Sequence, residues 1–203
     1  MIALIDYGAG NLASVRKALR ACGAEVVEPA GPADLDRASA IILPGVGHFA
    51  ATAALAGGWR EAIRRRLDAG ASCLGICLGM HWLFEGSDEA PSVPGLGWLP
   101  GRITRLPDRA PDGRRLKVPH AGWNAARVTA RECPVPGVRD GAYFYFTHAY
   151  AAPVTDATAA ITGYGADFAS AVRHGRVCGV QFHPEKSGDE GLRVLRAFIG
   201  GAW

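Results

Sequence analysis

SCLGICLGMHWLF, residues 72–84, decides how the rest of the chain is read. The apolar run through Ile76, bounded by glycine, has the length of a buried strand. From Cys77 onward Leu78, Trp82 and Leu83 recur at helical spacing, so the chain passes from strand to helix at the cysteine. Gly75 and Gly79 stand two residues to either side of Cys77, giving G-x-C-x-G. That is the spacing of a nucleophile elbow with sulfur in place of oxygen: a tight turn that admits only small neighbours and lifts its central side chain above the sheet. The first amides of the following helix carry partial positive charge, which favours a thiolate there. The stretch predicts a nucleophilic cysteine.

Working outward, residues 1–6 read as an apolar strand, Gly8-Ala9-Gly10 as a turn, residues 11–21 as a helix stopped at Cys22-Gly23, and residues 24–27 as a second strand. Residues 40–43 form a third strand running into Pro44-Gly45-Val46-Gly47, and residues 59–67 a charged amphipathic helix. Strands alternating with helices at this pace predict an α/β fold with a mostly parallel sheet covered on both faces. Ligands then belong at the carboxyl ends of the strands, where Gly8, Gly45 and Cys77 fall. Residues 86–101 and 107–115 read as surface loops, separated by a short strand over 102–106. Residues 143–146, 157–163, 169–173 and 177–182 read as added, mainly antiparallel strands, with a hairpin tip at His174-Gly175 and a closing helix over 188–199. With no repeat, linker or low-complexity tract, residues 1–203 are expected to form a single domain.

Composition narrows the function. A net charge of +3 spread over both signs leaves no nucleic-acid footprint. The start MIALID opens on a strand, without the basic region and cleavage site of a secretory signal, and no apolar run approaches a membrane span. The five cysteines, Cys22, Cys73, Cys77, Cys133 and Cys178, are odd in number and lack metal-type pairing. Reduced thiols in a cytoplasmic protein are expected.

A cysteine nucleophile needs a base and a group to orient that base. His183 and Glu185, in the sequence VQFHPE at a strand end, are two residues apart, so an extended backbone points them the same way, and a carboxylate there fixes the imidazole tautomer. Acyl transfer also needs backbone donors for the oxyanion. Leu78 N–H supplies one, and the Gly45–Val46 region of the PGVG loop can turn a second toward the site, which makes that loop a candidate switch. Two other readings compete. Gly8-x-Gly10-x-x-Ala13 with Glu28 matches a dinucleotide fingerprint, although such a site has no use for a cysteine elbow. Cys77 and His81, with Cys73 nearby, could hold a metal, but no full ligand set can be drawn.

GICLGM, PGVGHF and GVQFHPEKSG together resemble the class I (triad) glutamine amidotransferases, and DYGAGNL, KVPHAGWN (117–124) and YFTHAY (145–150) narrow the resemblance to the amidotransferase subunits of imidazole glycerol phosphate synthases. The likeness runs from the first strand to the last helix. It implies a flavodoxin-like amidotransferase fold and hydrolysis of glutamine to glutamate and ammonia through a Cys77 thioester, with His183 and Glu185 completing the triad. Carried over, substrate contacts fall on Gly47, His81, Glu89, Ala149 and Tyr150, with Glu89 holding the α-amino group. The ammonia passes to a (β/α)8-barrel cyclase subunit in histidine biosynthesis, docked against Asn11, His120, Trp123, Asn124, Tyr145 and Lys186. No cofactor or metal is implied. A paralogous subunit feeding a different synthase is the alternative within the family. One departure stands out: His81 occupies the place of the glutamine in the family pattern GICLGMQ. A ring that can be cationic near neutral pH, close to the thiolate, is expected to weaken glutamine binding and sharpen the pH response. A smaller departure, Ala121 in place of a larger apolar residue, is expected to loosen the partner contact slightly.

Overall fold

The computed structural model describes residues 1–129 and 135–201, so Cys133 lies outside the described residues. Strand β1 (Ile2–Leu4) turns through the glycines into helix α1 (Leu12–Ala21), whose cap is Asn11, its side chain accepting from Ser14 N–H. β2 (Val26–Val27), β3 (Ala40–Leu43), helix α2 (Gly58–Asp68), β4 (Ser72–Ile76) and helix α3 (Leu78–Leu83) complete the first half. The second half holds β5 (Gly86–Ser87), β6 (Arg102–Arg105), β7 (His120–Val128), β8 (Ala142–His148), β9 (Tyr150–Ala151), β10 (Thr158–Gly163), β11 (Asp167–His174), β12 (Val177–Val180) and helix α4 (Gly188–Ile199).

Nine strands form one sheet in the order β2-β1-β3-β4-β12-β11-β10-β7-β8, and β5-β6-β9 form a smaller one. From β2 to β12 every pairing is parallel; from β12 to β8 every pairing is antiparallel. Every residue of β4 is buried, because side chains pack against both faces of this central strand. Period-2 alternation divides the core: Ile42 and Leu74 join Leu19, Leu195 and Phe198 on one face, whereas Ile41 and Leu43 join Ile63, Leu67 and Trp82 on the other. Each such side chain contributes roughly 1.5–3 kcal/mol of burial.

One local expectation is corrected, and further elements add to those the sequence predicts. Residues 86–101 are not a loose surface loop: Leu96 and Leu99 are each 1% exposed, and their N–H groups bond to Trp82 and Leu83 carbonyls. Glycine and proline mark irregular backbone there, while the leucines anchor it. Short 3-10 turns occupy Pro32–Arg37 and Phe49–Leu55. β7 was invisible because HAGWNAARV carries no apolar alternation; it is a strand because seven of its residues pair in register with β8, from His120↔His148 to Ala126↔Ala142.

The glycines around Cys77 are explained by close approach. A β-carbon on Gly75 would lie 2.7 Å from the Met80 amide nitrogen, and one on Gly79 would collide with the Leu43 carbonyl. Gly79→Ala is therefore expected to lower stability by about 3 kcal/mol or more through overpacking against β3, read as a lowered urea midpoint.

Candidate active site

The parallel pairing of β4 with β12, Ile76 opposite Val180, sets the site. It brings the chain at Cys77 beside the chain at Gln181 and His183, and Cys77 N–H closes on the Val180 carbonyl at 2.8 Å. Cys77 has φ 52°, the one positive φ outside glycine among the described residues. A strained turn of this kind costs about 1–3 kcal/mol and marks functional positions. Cys77 is 5% exposed and stands immediately before α3.

His183 Nδ1 and Glu185 Oε1 are 2.9 Å apart, both side chains almost fully buried. The expected geometry is corrected in one respect: Pro184–Lys186 is a single 3-10 turn rather than extended chain, and the carboxylate reaches the ring from within that turn. Ser187 Oγ donates to the His183 carbonyl and accepts from Tyr145 N–H, pinning the turn to β8. His183 Nε2 is buried and meets no nitrogen or oxygen partner, which leaves it to the Cys77 sulfur. Burial works against charge on His183, but interaction with Cys77 and then with Glu185 outweighs it and holds the group up at about 9.

Gly47, His81, Glu89, Ala149 and Tyr150 all line one narrow cavity with Cys77 and Leu78. The structure thus brings together all five positions that the resemblance assigned to substrate. Glu89 Oε2 already accepts Phe49 N–H at 2.7 Å, leaving its other oxygen for a ligand. The expected oxyanion donors are both engaged in this arrangement. Leu78 N–H is directed at the Gly45 carbonyl at 3.4 Å, and Val46 N–H at the Ala9 carbonyl at 3.1 Å, so neither faces the cavity unpaired. The buried Tyr7 hydroxyl, without a partner, lies where a side chain at position 45 would have to go.

His81 is 4% exposed, with Nε2 2.7 Å from Gln181 Oε1. Burial drives it down to about 4, against the opposing hydrogen bond to Gln181. His81 is neutral at neutral pH, which overturns the expectation of a cation beside the thiolate. Gln181, which sequence reasoning passed over although it lies inside the quoted VQFHPE, also places Nε2 3.7 Å from Cys77 Sγ.

Of the positions assigned to a partner surface, Trp123 is 57% exposed, its ring edge-on to Tyr145 at 6.2 Å, and Lys186 Nζ lies 5.9 Å from the Tyr145 ring. Tyr143, on the same face as Tyr145 and 60% exposed, extends the patch and was not singled out in the sequence. Asn11 is exposed beside the first glycine turn. His120 does not reach the surface. It is buried against Phe146 and Tyr164, with Nδ1 3.1 Å from His148 Nε2. Asn124 turns inward as well, toward His120 Nε2 and the Gly163 carbonyl. Register explains both: even-numbered β7 residues His120 and Asn124 face inward, Trp123 outward. His148 Nδ1–H donates to the Tyr150 carbonyl at 2.9 Å, tying this buried pair to the cavity wall.

The competing readings lose their residues. Glu28, the acid a dinucleotide ribose would need, pairs with Arg16 at 2.5 Å, and the Gly8–Gly10 turn braces Val46 through Ala9. No cluster of three or more His, Cys, Asp or Glu suits a metal ion among the described residues, and no helix among them is long and apolar enough to cross a membrane.

An elbow cysteine with a carboxylate-oriented histidine at a neighbouring strand end defines a thiol-dependent acyl-transfer enzyme. The glutamine amidotransferase class-I family model matches residues 3–200, and the chain belongs to that family. Among its relatives, imidazole glycerol phosphate synthase subunit HisH of Methanothermobacter thermautotrophicus is 43% identical and that of Thermococcus kodakarensis 45% identical, each alignment covering 98% of both chains. The imidazole glycerol phosphate synthase hisHF of Emericella nidulans is 38% identical, and the match covers 98% of this chain and 38% of that longer one. Among solved structures, PurLQS of Thermotoga maritima superposes with a TM-score of 0.75 at 19% identity, covering 100% of this chain and 98% of that one.

Two titrations test this electrostatic picture. The rate of glutamine hydrolysis is expected to fall on the basic side near pH 9 as His183 loses its proton; Glu185→Gln removes a cause that raises it, so the basic limb moves to lower pH and kcat drops about 100-fold. His81 is neutral in the fold and takes a proton more readily unfolded, so its share of stability is complete above pH 6.5 and lost as pH falls toward 4. In urea unfolding from pH 7 to 4, His81→Gln is expected to flatten that loss by up to ~1.4 kcal/mol per pH unit.

Proposed function

We propose that this chain, one glutaminase domain over residues 1–203, works in the cytoplasm as the ammonia-supplying subunit of imidazole glycerol phosphate synthase in histidine biosynthesis. The observation that carries the reading is the meeting of Cys77, His183 and Glu185 beside a cavity lined by all five substrate positions. The length left over in the hisHF relative supports a second catalytic module as partner, and the absence of any disulfide among the described cysteines fits a reducing compartment.

In this reading the Cys77 thiolate attacks the side-chain amide carbon of glutamine. The C–N bond breaks as the His183 imidazolium gives its proton to the departing ammonia, leaving a glutamyl thioester. The neutral His183 then takes a proton from the water that attacks the thioester; collapse expels the Cys77 thiolate and glutamic acid, which ionises to glutamate, restoring the thiolate–imidazolium pair. Glu185 holds the ring and balances the imidazolium. At rest the Gly45–Val46 peptide directs its carbonyl, not its N–H, at the turn before α3. Rotation of that peptide would free Leu78 N–H and deliver Val46 N–H to the oxyanion, so the loop sets when hydrolysis is fast.

Ammonia passes to a (β/α)8-barrel cyclase seated on the aromatic face of Trp123, Tyr143 and Tyr145, with Lys186 at its margin. Exposed aromatics clustered on β7 and β8, at the edge of the large sheet, suit a partner better than solvent. Mixing the chain with the cyclase subunit is expected to give a heterodimer whose glutaminase rate exceeds that of the chain alone. No association by sedimentation, with glutaminase activity intact, would sink the partner assignment and leave the hydrolase. Trp123→Ala is expected to weaken the association by about 30-fold, as for a buried aromatic anchor, in a calorimetric titration.

A further inference from the structure

Gln181 ends the sequence of groups that begins at Val180, opposite Ile76, and it is fully buried. Its backbone N–H is taken by the Ser170 carbonyl, which fixes the main chain. Its side chain has two distinct ends. Nε2 lies 3.7 Å from Cys77 Sγ, and Oε1 lies 2.7 Å from His81 Nε2. A thiolate accepts hydrogen bonds and donates none, so the end of the amide that faces it has to be NH2. That leaves the oxygen for His81 and requires a proton on His81 Nε2. The neutral imidazole, set by burial, meets this requirement with its one N–H.

We propose that Gln181 donates a hydrogen bond to the Cys77 thiolate, and that His81 is the positioning residue that holds the Gln181 amide in that orientation. Turned over, the amide would set oxygen lone pairs against the sulfur anion, in a place too buried for water to intervene. His81 sits one helical turn beyond Cys77 on α3 and acts on the nucleophile through a side chain of the neighbouring strand. The resemblance gave His81 a direct hold on the substrate; the hydrogen bonds give its Nε2 a different task. The proposal rests on Cys77 being the nucleophile.

The test uses the full chain and two readouts: the rate of Cys77 alkylation by iodoacetamide at pH 7, followed by peptide mass spectrometry, and kcat and KM for glutamine. Gln181→Met and His81→Leu are each expected to slow alkylation about tenfold, the scale of one hydrogen bond to a charged group. His81→Gln, whose amide can still donate to Gln181 Oε1, is expected to restore most of the rate. Because His81 acts through Gln181, the double variant should be no slower than Gln181→Met alone. In His81→Leu kcat falls while KM stays near that of the native chain. If Gln181→Met does not fold, the isosteric Gln181→Glu serves, and its added negative charge should slow alkylation further. Native alkylation rates in the variants, or multiplied effects in the double variant, would overturn the relay. So would a raised KM with unchanged alkylation, which would return His81 to the substrate. A native Cys77 no more reactive than the chain's other cysteines would remove the nucleophile assignment and the relay together.

Discussion

The parallel register between β4 and β12 is the constraint on which the rest depends. It is made of ordinary main-chain hydrogen bonds, yet it sets which side chains meet across 100 residues of sequence. Cys77 N–H bonds to the Val180 carbonyl, and the residues leaving β12 are Gln181, Phe182 and His183, the first and third on one side. A slip of one residue would turn every side chain to the opposite face, placing Phe182 where Gln181 stands. The buried aliphatics of both strands oppose such a slip, because Ile76 and Val180 belong to one core and Cys73 and Val177 to the other. Packing that seems remote from chemistry therefore fixes the chemistry.

The same cavity region shows how one residue type takes different states. His183 and His81 both lie under the protein surface, but only His183 faces a carboxylate and the sulfur. It is held up at about 9, while His81, whose partner is a neutral amide, is driven down to about 4. His148, bonded to a carbonyl and near other histidines, lies lower still, at about 3. Burial pushes all three downward; the charge of the neighbour decides which one carries a proton.

Much of this was legible in the sequence because it is written locally. Two glycines spaced about Cys77 give the elbow, a continuous apolar run gives β3, and the bounds of α4 follow from glycine and amphipathic spacing. What was illegible depends on contacts distant in sequence. β7 has no apolar rhythm of its own and takes its shape from β8. The burial of His120, like the neutrality of His81, comes from residues packed around it in three dimensions. Gln181 was passed over because nothing in its immediate neighbours marks it; its importance appears only when β12 lies beside β4.

The two sides of the cavity are built differently. On one side, Ala149 and Tyr150 are bolted down: the Ala149 carbonyl takes Leu106 N–H, the Tyr150 carbonyl takes His148, and β9 pairs with β6. On the other, Gly47 is exposed with φ 98°, and the Gly45–Val46 peptide is held by its hydrogen bonds to Leu78 and Ala9 of the neighbouring backbone. In the proposed mechanism the cavity works as a vise with one fixed jaw and one, the Gly45–Val46 peptide, that travels. The fixed jaw measures the shape of whatever enters. In that mechanism the travelling jaw determines when the clamp tightens, so selectivity and timing reside in separate pieces of the chain.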